Sequence, residues 1–359
     1  MLLALALLVL AIASWYYSGQ ILGPDQRPER RGQTILARRD STITLATSTK
    51  ALRPGRWAIE WADGYGEIGP PRRTEPDRVV RPFRLVSGSP PDGTARLGGF
   101  AFDADPRNWL GVAFEPVEYR TRLGAISAWL VPGTDSTWAI FVHGRAASRA
   151  EVLRMLPVYR ALGLPCLVIC YRNDPCGPRA MGGHYQMGAT EWHDLEDAAQ
   201  FALDHGARRV LPVGCSMGGS IVCEFLRHST LAARAPAAVL DAPAVDWNAM
   251  IAVGAAKRHV PPWLTAIGKE VATARTGIRW SELVQAQHAA EFHTPILLLH
   301  GARDDTAPIE ASRRFAASRP DLITFVAFPE AGHVEASNYE EARYAQVVTD
   351  WLRAHGVGS

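Results

Sequence analysis

Cysteine is scarce in this 359-residue chain: there are five, Cys166, Cys170, Cys176, Cys215 and Cys223, an odd number at low density. With no CxxC pair and no second cluster, neither a disulfide scaffold nor a structural zinc site is expected. The eleven histidines contain no HExxH and no other recognised ligand spacing, so each is expected at the surface or in packing, and no metal or organic cofactor is called for. An excess of charge of one sign is lacking as well. Lys+Arg 38 against Asp+Glu 36 leaves +2, which argues against nucleic-acid binding by phosphate neutralisation. There is no internal repeat, and the basic cluster Arg27, Arg30, Arg31, Arg38 and Arg39 reads as a solvated linker. What the chain does have is apolar content, 47% hydrophobic residues beside 21% charged, which is ordinary for a globular protein. Its length exceeds the usual ~100–200 residues per domain, so one large domain plus something smaller is expected.

Met1 to Tyr17 is an uncharged Leu- and Ala-rich run ending in Trp15, Tyr16 and Tyr17. As a helix it would reach about 25 Å, the shortest plausible span of a bilayer, with the aromatic trio in an interfacial belt. Residues 1–17 are therefore expected to be a single-pass N-terminal anchor at the cell membrane. A secretory signal cleaved near Ala11-Ile12-Ala13 and a buried core helix are the alternatives, although the run lacks the basic n-region of a signal peptide. Five arginines follow Tyr17 within 22 residues and none precede it, which favours a cytoplasmic location for the rest of the chain.

Residues 18–116 hold Pro/Gly clusters between short alternating runs such as Thr42-Ile43-Thr44-Leu45 and Trp57-Ala58-Ile59-Glu60-Trp61, and no helix of three turns can be drawn there. The pattern predicts a small β-rich region. From Val117 to about residue 356 apolar runs alternate with amphipathic ones, the sequence form of β-α-β units around a buried, mostly parallel, doubly wound sheet. Strands are predicted at 138–142, 164–171, 210–214, 238–240, 296–299 and 323–328. Helices are predicted at 150–162, 190–205, 217–228, 309–318 and 339–355. Residues 243–294 form an excursion from the sheet rich in Trp, including Trp247, Trp263 and Trp280.

Gly214-Cys215-Ser216-Met217-Gly218 lies where a predicted strand meets a predicted helix. GxSxG in that setting puts Ser216 on a tight turn above the sheet, flanked by glycines because a Cβ would clash. A serine hydroxyl is a weak nucleophile and needs a base oriented by a carboxylate. Asp304 follows the strand at 296–299 and His333 follows the one at 323–328, both at the carboxyl edge of the sheet where loops converge. Asp305, Asp241 and Asp246 are rival acids. Against these roles stand simpler ones: Ser216 as an N-cap, His333 as a loop residue, Asp304 as a turn residue. His143 is expected to shape its turn, Ser148 to sit near a helix start, and His300 and Glu335 to be structural. Pro212 inside the strand before the turn requires a bulge or a nitrogen off the ladder. Cys215 reads as a small packing residue.

Residues 117–356 thus resemble an α/β-hydrolase-fold serine hydrolase, similar to serine aminopeptidases, acylglycerol lipases and membrane-bound α/β-hydrolase-domain proteins. The resemblance is carried in order by His143-Gly144-Arg145, the turn at Ser216, Gly301-x-x-Asp304 with Pro308, and Gly332-His333. It implies that the backbone N–H groups of Arg145 and Met217 form the oxyanion hole and that 243–294 is a helical cap. It also mildly favours the outer face of the membrane. The activity expected is cleavage of a carboxylic ester or thioester of a small-molecule or lipid-like acyl substrate through an acyl-enzyme on Ser216. A peptidase or amidase of the same fold, or a catalytically silent binding module, is the alternative. Since the sheet begins about a hundred residues after the N-terminal run, that run is expected to be dispensable for activity.

Overall fold

The computed structural model describes residues 2–23 and 32–358, with side chains from residue 10. Arg27, Arg30 and Arg31 of the basic cluster lie outside the described residues. The N-terminal run forms α1 (Leu2–Leu22), which continues five residues past Tyr17, the expected end. Among the described residues no helix is long and apolar enough to cross a membrane. The end of α1 beyond the run at 1–17 packs on the large domain. Ser18 and Leu22 are fully buried, and Leu22 joins the core of the large domain.

Seven short strands follow: β1 (Gln33–Arg39), β2 (Thr42–Ala46), β3 (Trp57–Trp61), β4 (Gly64–Ile68), β5 (Arg73–Thr74), β6 (Arg78–Gly88) and β7 (Thr94–Gly98). Their order is β2-β1-β7-β3-β4-β6-β5, and an added pairing of β2 with β6 closes the sheet on itself like a barrel. Alternation in these strands sends Ile43, Leu45, Trp57, Ile59, Trp61, Ile68, Val79 and Leu97 inward as a separate core. Buried Arg81 donates to the carbonyls of Gly69, Ala51 and Gly55, tying the loops to the strands.

After the short helix α2 (Pro106–Leu110) comes the large domain. In chain order it comprises β8 (Glu115–Thr121), β9 (Gly124–Val131), β10 (Thr137–Val142), α3 (Leu156–Ala161), β11 (Cys166–Ile169), α4 (Trp192–Asp204), β12 (Arg209–Cys215), α5 (Met217–His228), β13 (Ala238–Asp241), α6 (Trp247–Lys257), α7 (Pro262–Thr276), β14 (Ile296–Gly301), α8 (Ile309–Ser318), β15 (Ile323–Phe328), α9 (Ala336–Tyr339) and α10 (Glu341–Ala354). The eight strands run in the order β15-β14-β13-β12-β10-β11-β9-β8. The six from β15 to β11 are parallel, and β9 and β8 extend the edge as an antiparallel hairpin. Every residue of β10, β11, β13 and β14 is buried, as strands covered on both faces require. The helix predicted at 150–162 is a 3₁₀ turn over Arg149–Arg154 followed by α3, the two meeting just before Pro157, which has no N–H to continue the ladder. The excursion after β13 contains α6 and α7.

One reading from composition changes here, and one from pattern is resolved between its alternatives. Cys170 and Cys176 are joined in a disulfide, so the low cysteine count conceals one cross-link. Of the two conditions set for Pro212, a bulge or a nitrogen off the ladder, the structure meets the second: its strand keeps a continuous register with β10, while pairing with β13 begins only at Val213. Ser216 N–H donates to Asp241 on the β13 side. By alternation the nitrogen of Pro212 faces that same side, where there is no partner to lose.

Candidate active site

The turn between β12 and α5 carries Ser216 at φ 51 and ψ −116, a conformation outside the ordinary regions for a residue with a side chain. Holding it costs about 1–3 kcal/mol, which the surroundings must supply. They do so through close backbone packing. A Cβ on Gly214 would strike the Gly218 carbonyl, and one on Gly218 would strike the Val142 carbonyl, so only glycine allows β10, β12 and α5 to meet here. Ser216 N–H and C=O are both engaged, the latter accepting from Gly219 and Ala244. Its hydroxyl does not cap α5. The N-cap role is thereby excluded, and the oxygen is aimed away from the helix.

It is aimed at His333. Ser216 Oγ lies 2.8 Å from His333 Nε2, and His333 Nδ1 lies 2.7 Å from Asp304 Oδ2. Asp304 follows β14 and His333 follows β15, so the three side chains gather at the carboxyl ends of parallel strands. An ionised carboxylate can only accept, so Nδ1 carries the ring proton and Nε2 presents its lone pair to the serine hydroxyl. Access to solvent is greatest at the middle of the row. The His333 side chain is 22% exposed, Ser216 is 8% exposed, and the Asp304 side chain is fully buried.

Burial alone would raise the Asp304 pKa. Hydrogen bonds from His300 and His333, together with their charge, outweigh it and hold the carboxyl well below the usual carboxylate range. Its other oxygen accepts the N–H groups of Thr306 and Ala307, each at 2.8 Å. For His333 burial pulls the pKa down, and the hydrogen bond to Asp304 and that residue's charge, aided by Glu151 and Asp241, bring it above the ordinary histidine value.

None of the rival acids meets His333. Asp246 caps α6 through Ala249 N–H, and exposed Asp305 pairs with Lys257 at 3.0 Å. Asp241 is wholly buried with no hydrogen-bond partner on either carboxylate oxygen, and burial pushes its pKa up to about 6.

The residues named for the oxyanion hole flank the serine. Met217 opens α5, where the first N–H groups have no acceptor within the helix. Arg145 follows Gly144, where a Cβ would come within 3.0 Å of the Ser216 Cβ. The loop bearing Arg145 is fixed from several sides. Buried Glu151 accepts Gly144 N–H at 2.6 Å, and the Tyr171 hydroxyl donates to Gly144 O at 3.1 Å. His143 stacks on Tyr171 and sits 2.9 Å from Asp174, between the two disulfide cysteines. His143 therefore shapes its turn, as expected. Nothing in the sequence points to Glu151, Tyr171 or Asp174, because none lies in a motif. His300 is more than a packing residue: its Nε2 lies 3.1 Å from Asp304 Oδ2, the oxygen that also faces His333.

Among the described residues one group of potential metal donors comes together, Cys170, Asp174 and Cys176, and its two sulfurs are already bonded to each other. Cys215 is buried against Met155, and burial pushes its thiol pKa well up, which fits a packing residue.

A cavity of roughly 380 Å³ is lined not by Ser216, His333 or Asp304 but by residues next to them in the chain or in contact with their neighbours, among them Arg145, Trp247 and Thr306.

A mostly parallel sheet flanked by helices, with a serine at a strand-to-helix turn and an acid and a histidine after later strands, is the α/β-hydrolase fold. Residues 180–356 match the Prolyl oligopeptidase family, and residues 34–98 match a domain of unknown function (DUF8805). The chain matches no curated protein. Among solved structures it is similar to the Pyrococcus furiosus esterase Pf2001, at 18% identity and a TM-score of 0.57 over 70% of this chain and 96% of that one. It is also similar to the butyrate-bound esterase Est2 of Thermogutta terrifontis, at 18% identity and a TM-score of 0.52 over 68% of this chain and 95% of that one. At these identities the likeness is one of fold.

Proposed function

We propose that the protein is a serine hydrolase that cleaves carboxylic esters or thioesters. His333 takes the Ser216 proton as the serine oxygen attacks the acyl carbon, and the Arg145 and Met217 N–H groups hold the oxyanion. Collapse of the tetrahedral adduct expels the alcohol or thiol, which leaves with the proton from His333. Water then enters by the same steps and releases the acid. Asp304 stays ionised throughout and stabilises the imidazolium. The observation that carries the reading is the unbroken hydrogen-bonded row from Ser216 through His333 to Asp304, with the serine in a strained turn. Two preorganised donors matter here, since losing one typically costs ~10²–10³ in rate.

A peptidase reading is favoured by the match of residues 180–356 to the Prolyl oligopeptidase family. The experiment that tests both is labelling with a fluorophosphonate, followed by turnover of p-nitrophenyl esters and aminoacyl amides on one preparation. Ser216→Ala is expected to abolish labelling and turnover while leaving the fold intact. Undiminished labelling of that variant would overturn the nucleophile, and amide turnover exceeding ester turnover would favour the peptidase.

The protein is further proposed to sit at the cell membrane through α1, supported by the exposure of Ile12, Trp15 and Tyr16 at about 60% each. Recovery of the intact chain in the soluble fraction of a lysate would contradict it.

A further inference from the structure

We propose that α1 is a wall of the substrate pocket, and that Gln20 and Ile21 set the length of the apolar group the enzyme accepts. This rests on the hydrolase reading above and adds the class of substrate to it.

The cavity of roughly 380 Å³ is bounded by Tyr17, Gln20 and Ile21 on α1 and by Trp247, Met250 and Ile251 on α6. None of Ser216, Asp304 and His333 lines it, and it is joined to them through neighbouring residues at three points. Arg145 lines it, one residue beyond the Gly144 that packs on Ser216. Thr306 lines it and donates its N–H to Asp304. The Trp247 indole N–H is 3.2 Å from Ser220, four residues after the serine on α5.

The helix is fastened in place. The last carbonyls of a helix have no partner within it, and a cation there is favoured. Arg145 fills that role, its guanidinium donating to Gln20 O at 3.0 Å and Gly23 O at 2.6 Å. Arg275 of α7 donates to Ser18 Oγ at 2.7 Å and lies over the Trp15 ring. One residue thus has its backbone beside the nucleophile and its side chain on the end of α1, so the helix and the oxyanion loop are set in a fixed relation.

Ligand pockets commonly run ~300–1,000 Å³, and this one is near the lower bound. It suits one compact apolar group, a medium-length aliphatic chain or a single ring, and is too small for a lipid with two long chains.

The test uses the full chain in detergent and compares kcat/KM for p-nitrophenyl octanoate and acetate. Ile21→Trp and Gln20→Trp both intrude on the cavity, and Gln20 is exposed, so its replacement leaves the core untouched. The octanoate-to-acetate ratio is expected to fall about tenfold in each, the scale of a methylene or two in an apolar pocket. An unchanged ratio, or an equal loss on both esters, overturns the proposal. A second reading needs no turnover: the ratio of Ser216 labelling rates by octyl and methyl fluorophosphonates, followed by mass. A shift in that ratio without ester hydrolysis would uphold the pocket and defeat the ester reading. No shift would defeat the pocket, and no labelling at all would defeat both.

Discussion

At Asp304 two imidazoles face one carboxylate oxygen, His333 Nδ1 at 2.7 Å and His300 Nε2 at 3.1 Å. The ring N–H of His333 and the backbone N–H groups of Thr306 and Ala307 donate to this carboxylate and favour its charged form, so Asp304 keeps its charge across the working range and His333 is the group whose titration matters. A protonated imidazole cannot accept the serine proton, so turnover is lost as pH falls. Because the His333 pKa is raised, kcat/KM for p-nitrophenyl acetate is expected to rise through a single ionisation with its midpoint above 6.5. A midpoint below 6.5 would contradict the ion pair. Asp304→Asn would present an amide to Nδ1 and favour the wrong tautomer, for which a loss of about 10³–10⁴ in kcat is expected. Asp305→Asn should lose far less. A larger loss for Asp241→Asn than for Asp304→Asn would move the acid to β13.

The elements that place these residues were unequally legible in the chain. Strands β10, β12 and β14 follow from apolar runs, since a strand buried on both faces must be apolar throughout, and edge strand β15 and helices α5 and α8 follow from their own apolar runs and periodicity. The hairpin β8–β9 was missed because few of its residues are buried, so its pattern is weak and its charged positions resemble a loop. Ser216, Asp304 and His333 were legible because each lies in a motif tied to a strand end. Glu151, Tyr171 and Asp174 were not, because a buried polar side chain is recognised only by what it touches. Their part can be measured. Glu151→Ala leaves the buried Gly144 N–H without an acceptor, which is expected to cost about 1–3 kcal/mol in urea denaturation and to lower turnover through the loosened Arg145 loop. Glu151→Gln retains an acceptor oxygen and should lose much less of both. Equal losses for the two variants would place the role of Glu151 in its charge.

At the scale of the whole molecule, the barrel and α1 both end up against loops that carry chemistry, although each has its own place in the sequence far from Ser216. Arg53, from the barrel, pairs with Glu335 at 2.7 Å, two residues beyond His333. Asn338 donates to the carbonyls of Arg56 and Gly99, and Trp57 packs edge-on against Tyr339. The segment following His333 is therefore clasped by the barrel, which sequence alone could not reveal because these contacts span more than 200 residues. A clasp of this kind predicts an effect on rate rather than on substrate affinity. Arg53→Ala removes a partly buried ion pair, its side chains 24% and 17% exposed, for which a stability loss of about 1 kcal/mol or less is expected. The larger consequence should appear in kcat, severalfold lower with KM little changed, because a misplaced imidazole weakens the transition state without altering the pocket between α1 and α6. If kcat is unaffected while the barrel remains folded by circular dichroism, the barrel does not position His333, and its contacts serve stability alone.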